Sequence, residues 1–361
     1  MKKIYQNFNH LNIDMDIEPM EVSAVEKERI KRTVIKTKKK KHVTRNFIVA
    51  ASLLAVSSIT IGSTFPAFAA NIPIIGSLFE LFTDNERYVF DNYDEYSTII
   101  GMSQESNGVE VTVTDAVYDG ENITVAYTIK SDMNLGERPV LAGELIADEF
   151  KDRYRFDGYS TNNIVQKISD NEYAVLYIYE LIRGSKPDEV HITLHGDQIA
   201  DLSNRIQSIQ GDWSFTFTLD KLESESQKLA KDRLKTEVQD IKIAAVKLTK
   251  TPISTAFYLT EEVSVPKADG DWRGVNIDYR ISDNLGNAYN SIHYKGTGHS
   301  TDFEGRVNIP RITVKSFDEK AKTVKITPVV SVYKLKNQGT GELELVEEPY
   351  AMDPIEVPIK Q

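Results

Sequence analysis

Histidine and carboxylate side chains are the groups in this sequence best able to hold a metal or move a proton. His10 and His42 fall in the first 45 residues, and His191 and His195 sit in Val190-His191-Ile192-Thr193-Leu194-His195. Residues four apart on a strand share a face but lie roughly 13 Å apart along it, too far to share one ion. On a helix the same pair could chelate, yet no third ligand stands nearby in the sequence. His293 and His299 flank Gly296-Thr297-Gly298, and all four of these histidines are expected at the surface. Asp115, Asp119 or Asp212 could bind calcium weakly, but capping of turn backbone is the better account of such aspartates. The chain has no cysteine, which removes thiolate zinc sites, iron–sulfur clusters, disulfides and cysteine nucleophiles together. No G-x-S-x-G elbow, phosphate loop or dinucleotide fingerprint occurs. The expectation is a protein that is not an enzyme and holds neither cofactor nor metal.

Such a chain must act through its elements and surfaces, and its charge divides sharply. Residues 1–45 hold twelve Lys/Arg against six Asp/Glu, while the remaining residues hold 31 against 48. The acidic remainder repels phosphate backbones, so no nucleic-acid partner is expected. From Asn46 to Pro66 no residue is charged. That length matches the roughly 20 residues a helix needs to cross a bilayer. Lys36, Lys38, Lys39, Lys40, Lys41 and Arg45 precede it, and such a block sets the cytoplasmic side. These features predict a transmembrane helix over 46–66, with the N-terminus cytoplasmic, the C-terminus extracellular and the lipid bilayer as a partner. Two other readings stay open: a buried core helix, and a signal peptide cleaved after Ala67-Phe68-Ala69.

Residues 1–45 are too few to bury a core. Within them Glu18–Ile35 reads as a helix, with Pro19 and early acids at its start and Lys31 and Arg32 near its end. Val22, Val25, Ile30 and Val34 form an imperfect apolar stripe. Either this stripe is laid into a groove of a cytoplasmic partner, or the tail is disordered or lies on lipid.

After the span, Ala70–Phe82 is apolar and interrupted by Pro73 and Gly76, which suits the outer membrane interface or packing beneath a following domain. Beyond about residue 100 period-two alternation dominates. Val109–Thr114, Ile123–Ile129, Tyr173–Tyr179 and Trp213–Leu219 read as strands, with Asp119-Gly120 as hairpin-turn chemistry. The charged stretch Lys221–Thr236 reads as a connector. The theme then restarts at Val238–Val246, Ile253–Leu259, Val275–Ile281, Arg311–Val314 and Val324–Tyr333. The expected fold is mainly β: one N-terminal transmembrane helix followed by two antiparallel, immunoglobulin-like β-sandwiches. The expected domains are 1–45, 46–66, 67–225 and 226–361.

Pro66-Ala67-Phe68-Ala69-Ala70-Asn71-Ile72-Pro73-Ile74-Ile75-Gly76-Ser77-Leu78-Phe79, placed directly after an apolar span, resembles Firmicute membrane proteins carrying the DUF4179 domain. Gly108–Val113 through Ile129, and Gly211-Asp212-Trp213-Ser214-Phe215-Thr216-Phe217, are similar to that domain's strands, and the second sandwich resembles the DUF5643 immunoglobulin-like domain. Members include transmembrane anti-sigma factors of the sigma-M type. The resemblance implies a tail that sequesters an extracytoplasmic-function sigma factor and an external body that senses the envelope through an unknown ligand or protein. The zinc-binding anti-sigma module is impossible without cysteine, so sigma contact falls to the helix near 19–35. A surface-displayed binding or structural module, with the tail only an anchor, is the alternative.

Overall fold

A computed structural model describes residues 78–147, 149–150, 159–181, 186–204, 208–265, 272–294, 298–303, 307–337 and 340–359. Ala67–Gln361 form one compact unit. Its strands follow in chain order. The first eight are β1 (Thr98–Ser106), β2 (Val109–Tyr118), β3 (Asn122–Lys130), β4 (Pro139–Ala147), β5 (Tyr159–Ser169), β6 (Glu172–Leu181), β7 (Glu189–Asp201) and β8 (Ser208–Asp220). Next come β9 (Glu225–Lys228), β10 (Lys235–Val238), β11 (Ile241–Lys250), β12 (Thr255–Val263), β13 (Arg273–Asp283), β14 (Ala288–Tyr289), β15 (Ser291–Tyr294) and β16 (His299–Ser300). The last are β17 (Val307–Asn308), β18 (Arg311–Val314), β19 (Thr323–Asn337), β20 (Glu342–Leu345), β21 (Tyr350–Ala351) and β22 (Ile355–Pro358).

Four sheets arise. In lobe 1 a five-stranded sheet, ordered β1-β2-β3-β6-β5, faces a three-stranded sheet ordered β4-β7-β8. Asn107 and Gly108 both take positive φ (49° and 75°) and close the β1–β2 hairpin, the backbone that a tight two-residue connection demands. Strand β8 shows why alternation makes a sandwich. Trp213, Phe215, Phe217 and Leu219 point inward, while Ser214, Thr216 and Thr218 stay exposed. The inward set packs against Val111, Val125 and Val175 of the facing sheet in a single core.

Strands β2, β3 and β6 are buried almost without interruption, because their sheet is covered on both faces. The second cover is the segment from Leu78 to Tyr96, which includes a 3-10 turn at Phe79–Phe82 and a helical turn at Tyr93–Tyr96. Leu78, Phe82, Phe90 and Tyr93 press against Val117, Ala126, Leu176 and Ile178. Of the two placements open for the apolar stretch after residue 70, its described end therefore packs beneath the first sandwich. Ile253 and Ile292 of lobe 2 join the same cluster.

Lobe 2 pairs two seven-stranded sheets. One runs β10-β11-β12-β18-β15 with β9 and β17 at its sides, and the other runs β14-β13-β19-β20 with β16, β21 and β22. Ile243, Phe257 and Leu259 of the first meet Ile277, Val324, Ile326 and Val330 of the second.

The mainly β architecture stands, and two expectations are corrected. A single N-terminal transmembrane helix is not supported: among the described residues no helix is long and apolar enough to cross a membrane. The helical elements described are no longer than four residues. That is about 6 Å of rise against a bilayer core of about 30 Å. The stretch 46–66 itself lies outside the described residues, as do the tail positions Val22, Val25, Ile30 and Val34 and the basic positions Lys38, Lys39, Lys40, Lys41 and Arg45. The expected connector 221–236 also contains structure. Strand β9 and the start of β10 lie within it, both paired to β11 as short, largely exposed flanking strands, which is how charged sequence tolerates a sheet.

Candidate functional site

The strongest concentration of buried charge lies where the two lobes meet. It begins with the turn Asp119-Gly120-Glu121-Asn122 that joins β2 to β3. Gly120 takes φ +81°, a left-handed value that favours glycine. Asp119 Oδ1 accepts the Glu121 N–H at 2.8 Å and the Asn122 N–H at 2.6 Å, so its side chain builds the turn. Its Oδ2 accepts the Ser254 hydroxyl at 3.1 Å, and Ser254 belongs to the Thr251–Ser254 turn between β11 and β12. Two hairpin turns, one from each lobe, are thereby joined through one carboxylate.

Arg311, the first residue of β18, completes the junction with its side chain 1% exposed. Its Nη1 donates to the Glu121 carbonyl at 2.5 Å and to the Leu181 carbonyl at 3.1 Å. Its Nη2 donates to Asn122 Oδ1 at 2.8 Å and Glu180 Oε2 at 3.0 Å. Every one of these acceptors belongs to lobe 1. Glu121 also binds Lys186 Nζ at 2.5 Å and the Tyr258 hydroxyl, and Lys247 Nζ sits 3.8 Å from it and 3.9 Å above the Tyr258 ring. Three carboxylates (Asp119, Glu121, Glu180) are matched by three cations (Arg311, Lys186, Lys247).

The electrostatics follow from that balance. Burial pushes the Asp119 carboxyl up, partly offset by its backbone hydrogen bonds. Burial pushes Glu121 up as well, but Lys186 and Arg311 outweigh it and hold Glu121 below its ordinary value. Burial lowers Lys186. For Arg311 the cost of burial is overcome by Glu180, Tyr258 and Glu121, which keep it charged. Glu121, Glu180, Arg311 and Lys186 are held in mutual ion pairs and Asp119 by its hydrogen bonds, so the cluster is suited to fixing geometry.

A second buried polar cluster lies between the sheets of lobe 2. Glu261 on β12 accepts the Tyr279 hydroxyl from β13 and contacts His299 Nε2 at 2.9 Å, while Asn308 Nδ2 lies 3.2 Å from the same ring nitrogen. Burial, then the Glu261 charge, raises the Tyr279 phenol well above 10, so it remains a donor. A cavity of about 20 Å3 beside these groups is lined by Glu261, Tyr279, His293, His299 and Asn308 among others. It is large enough for one water. The expectation of a surface His299 is therefore corrected: pairing of β16 with β13 carries it inward to 6% exposure. On β7 His191 is exposed and His195 half-buried, beside Glu149 and Asp212 respectively. Among the described residues no group of three or more metal-ligating side chains converges, so Asp115, Asp119 and Asp212 are not brought together.

Sequence reasoning found the Asp119-Gly120 turn but not its role, and it found β18 without singling out Arg311. The missing signal was a charged residue opening an otherwise uncharged, buried strand, Arg311-Ile312-Thr313-Val314.

Two family profiles match the chain. Residues 38–131 match a domain of unknown function (DUF4179), and residues 231–360 match a family of unknown function (DUF5643). Both are the domains that the sequence resembles. The first match ends just after β3, and the second takes in β10 to β22. Gly211–Phe217, whose likeness was assigned to the first domain, lies in neither range. Among solved structures, the crystal structure of the conserved domain protein from Bacillus anthracis is similar, with a TM-score of 0.60 and 25% identity. That likeness covers 75% of this chain and 94% of that one. No curated protein matches.

Proposed function

We propose that this chain is a non-enzymatic, membrane-associated regulator whose β body responds to the state of the cell envelope and whose residues 1–45 engage a cytoplasmic sigma factor of the extracytoplasmic-function class. The observation that carries the reading is the junction of the lobes. Arg311 ties lobe 2 directly to the backbone of lobe 1 at Glu121 and Leu181. A ligand, protein or mechanical load acting on one lobe is then felt by the other, as a sensing body requires.

The intracellular half rests on the sequence: a basic segment, the apolar stripe Val22, Val25, Ile30 and Val34, and the resemblance to anti-sigma factors. Deletion of residues 1–35 in the native host is expected to raise transcription that depends on an extracytoplasmic-function sigma factor. Unchanged transcription overturns the reading and leaves the surface-displayed binding module. A tagged 1–45 segment is expected to co-purify with the same factor.

A further inference from the structure

Strand β19 runs on past the body of its sheet and, with β20, forms a hairpin with two unlike faces. The register sets Tyr333 opposite Leu345, Lys334 opposite Glu344 and Leu335 opposite Leu343. One face therefore carries the ion pairs Lys334–Glu344 (3.0 Å) and Lys336–Glu342 (2.7 Å). The other carries Tyr333, Leu335, Leu343 and Leu345, with Leu343 48% and Leu345 43% exposed.

The apolar face continues across the sheet. Gly274 of β13 is opposite Tyr333, and the Trp272 ring lies over Gly274, where a Cβ would come within 2.6 Å of it. The Trp272 indole donates to Asp302 Oδ2 at 2.8 Å, which fixes the ring. Trp272, Tyr333 and Leu345 thus form one row, with Leu335 and Leu343 beside it. Half-buried aromatic side chains beside exposed leucines in a contiguous row mark an interaction surface more often than a solvent face.

The backbone at this edge is open as well. Val346 N–H bonds to Val332 O at 2.8 Å. By antiparallel alternation Glu344 then turns its backbone groups toward β19, and Leu343 and Leu345 turn theirs out of the sheet. Among the described residues, β20 pairs with β19 alone.

We propose that the outer edge of β20 is a docking site for an extended, basic strand of a partner protein, which pairs with Leu343 and Leu345, lays alternate apolar residues beside the Trp272–Tyr333–Leu345 row and sets its Lys or Arg against Glu342 and Glu344. Charge selects this occupant. A basic strand extends the Lys–Glu ladder of β19 and β20 by one more row, whereas a second copy pairing β20 to β20 sets glutamate against glutamate on that face. Glu347 and Glu348 follow after Val346, and the body's excess of acidic residues steers a basic strand toward it. The mode is strand addition, in which main-chain bonds give affinity and alternate side chains give choice.

The test uses the full chain and two fluorescein-labelled ten-residue peptides, one alternating valine with lysine and one alternating valine with glutamate. Fluorescence anisotropy is expected to show binding of the lysine peptide at least tenfold tighter than the glutamate peptide. Added lysine peptide should also slow amide exchange at Leu343 and Leu345. Leu345→Pro removes an outward N–H that β19 does not use, so the fold is retained and lysine-peptide binding falls at least tenfold. Should that variant unfold, Leu343→Asp at an exposed position and Tyr333→Ser at a half-buried one are expected to weaken binding in the same way. The proposal is overturned if the two peptides bind alike, if neither binds, or if these substitutions leave binding unchanged. It is equally overturned if they abolish a dimer of the chain while no peptide binds.

Discussion

Arg311 of lobe 2 and Glu180 of lobe 1 meet at 3.0 Å, each side chain 1% exposed. An ion pair this deep gains little against an apolar pair of the same shape, because both charges have lost their water. Breaking it is another matter. Arg311→Ala strands Glu180 without its cation, leaves Glu121 to Lys186 and Lys247, and leaves the Leu181 carbonyl short of a donor. The expected loss is about 3–5 kcal/mol of unfolding free energy, read by urea denaturation of residues 67–361. Combining Arg311→Met with Glu180→Gln removes the charge stranded at Glu180, leaves Glu121 to Lys186, and is expected to recover part of that loss. Full additivity of the two changes would show that they do not share one network.

Acid should act on the same turn in two opposed ways. Glu121 is held below its ordinary 4.5, so its ionised form stabilises the fold above that value, and the benefit fades as pH falls through the folded-state value. Asp119 is pushed above its ordinary 3.8, so the folded state takes up this proton first, and its contribution improves as pH falls toward 3.8. Unfolding free energy measured from pH 7 to pH 3 is therefore expected to fall less steeply in Glu121→Gln than in the native chain. It should fall more steeply in Asp119→Asn. Parallel curves for all three proteins would remove both assignments.

Much of this fold was legible in the sequence, and the unread parts share a cause. Strands with one wet face and one dry face, such as Trp213–Leu219 in β8, declare themselves by alternation. Strand β5, Tyr159–Ser169, carries Ser-Thr-Asn-Asn and lies at a sheet edge, where polar side chains blur the period. The charged strands β9 and β10 were hidden for the same reason. The junction was less legible still. Arg311 finds Glu121 and Asn122 at separations of 190 and 189 residues, and no local spacing encodes a contact that only folding creates. His299 looked like a loop histidine because the pairing of β16 with β13, which buries it, is two residues long.

Gly211 is constrained by its neighbour two residues on. A Cβ built there would lie 2.2 Å from Trp213 Cη2, and the indole cannot retreat because it is fully buried and donates to the Val109 carbonyl at 3.1 Å. Gly211→Ala is expected to cost about 1–3 kcal/mol by overpacking. It should also shift the Trp213 emission, recorded in a Trp272→Phe background so that a single tryptophan reports. An unchanged spectrum and denaturation midpoint would mean that the ring has room to move.

Tyr279, Glu261 and His299 join the two sheets of lobe 2 through one carboxylate, with Asn308 beside the imidazole. Tyr279→Phe removes one donor and leaves the carboxylate held from one side, at an expected cost of about 1–3 kcal/mol. His299→Gln keeps a donor of similar reach and is expected to cost less than His299→Ala, which also opens a void next to the existing cavity. Because both residues serve the same carboxylate, the Tyr279→Phe and His299→Ala losses should not add, with a coupling of about 0.5–3 kcal/mol in a double-mutant cycle. A coupling near zero would mean that Glu261 is satisfied by each partner independently, and that the two sheets are held together by their apolar core alone.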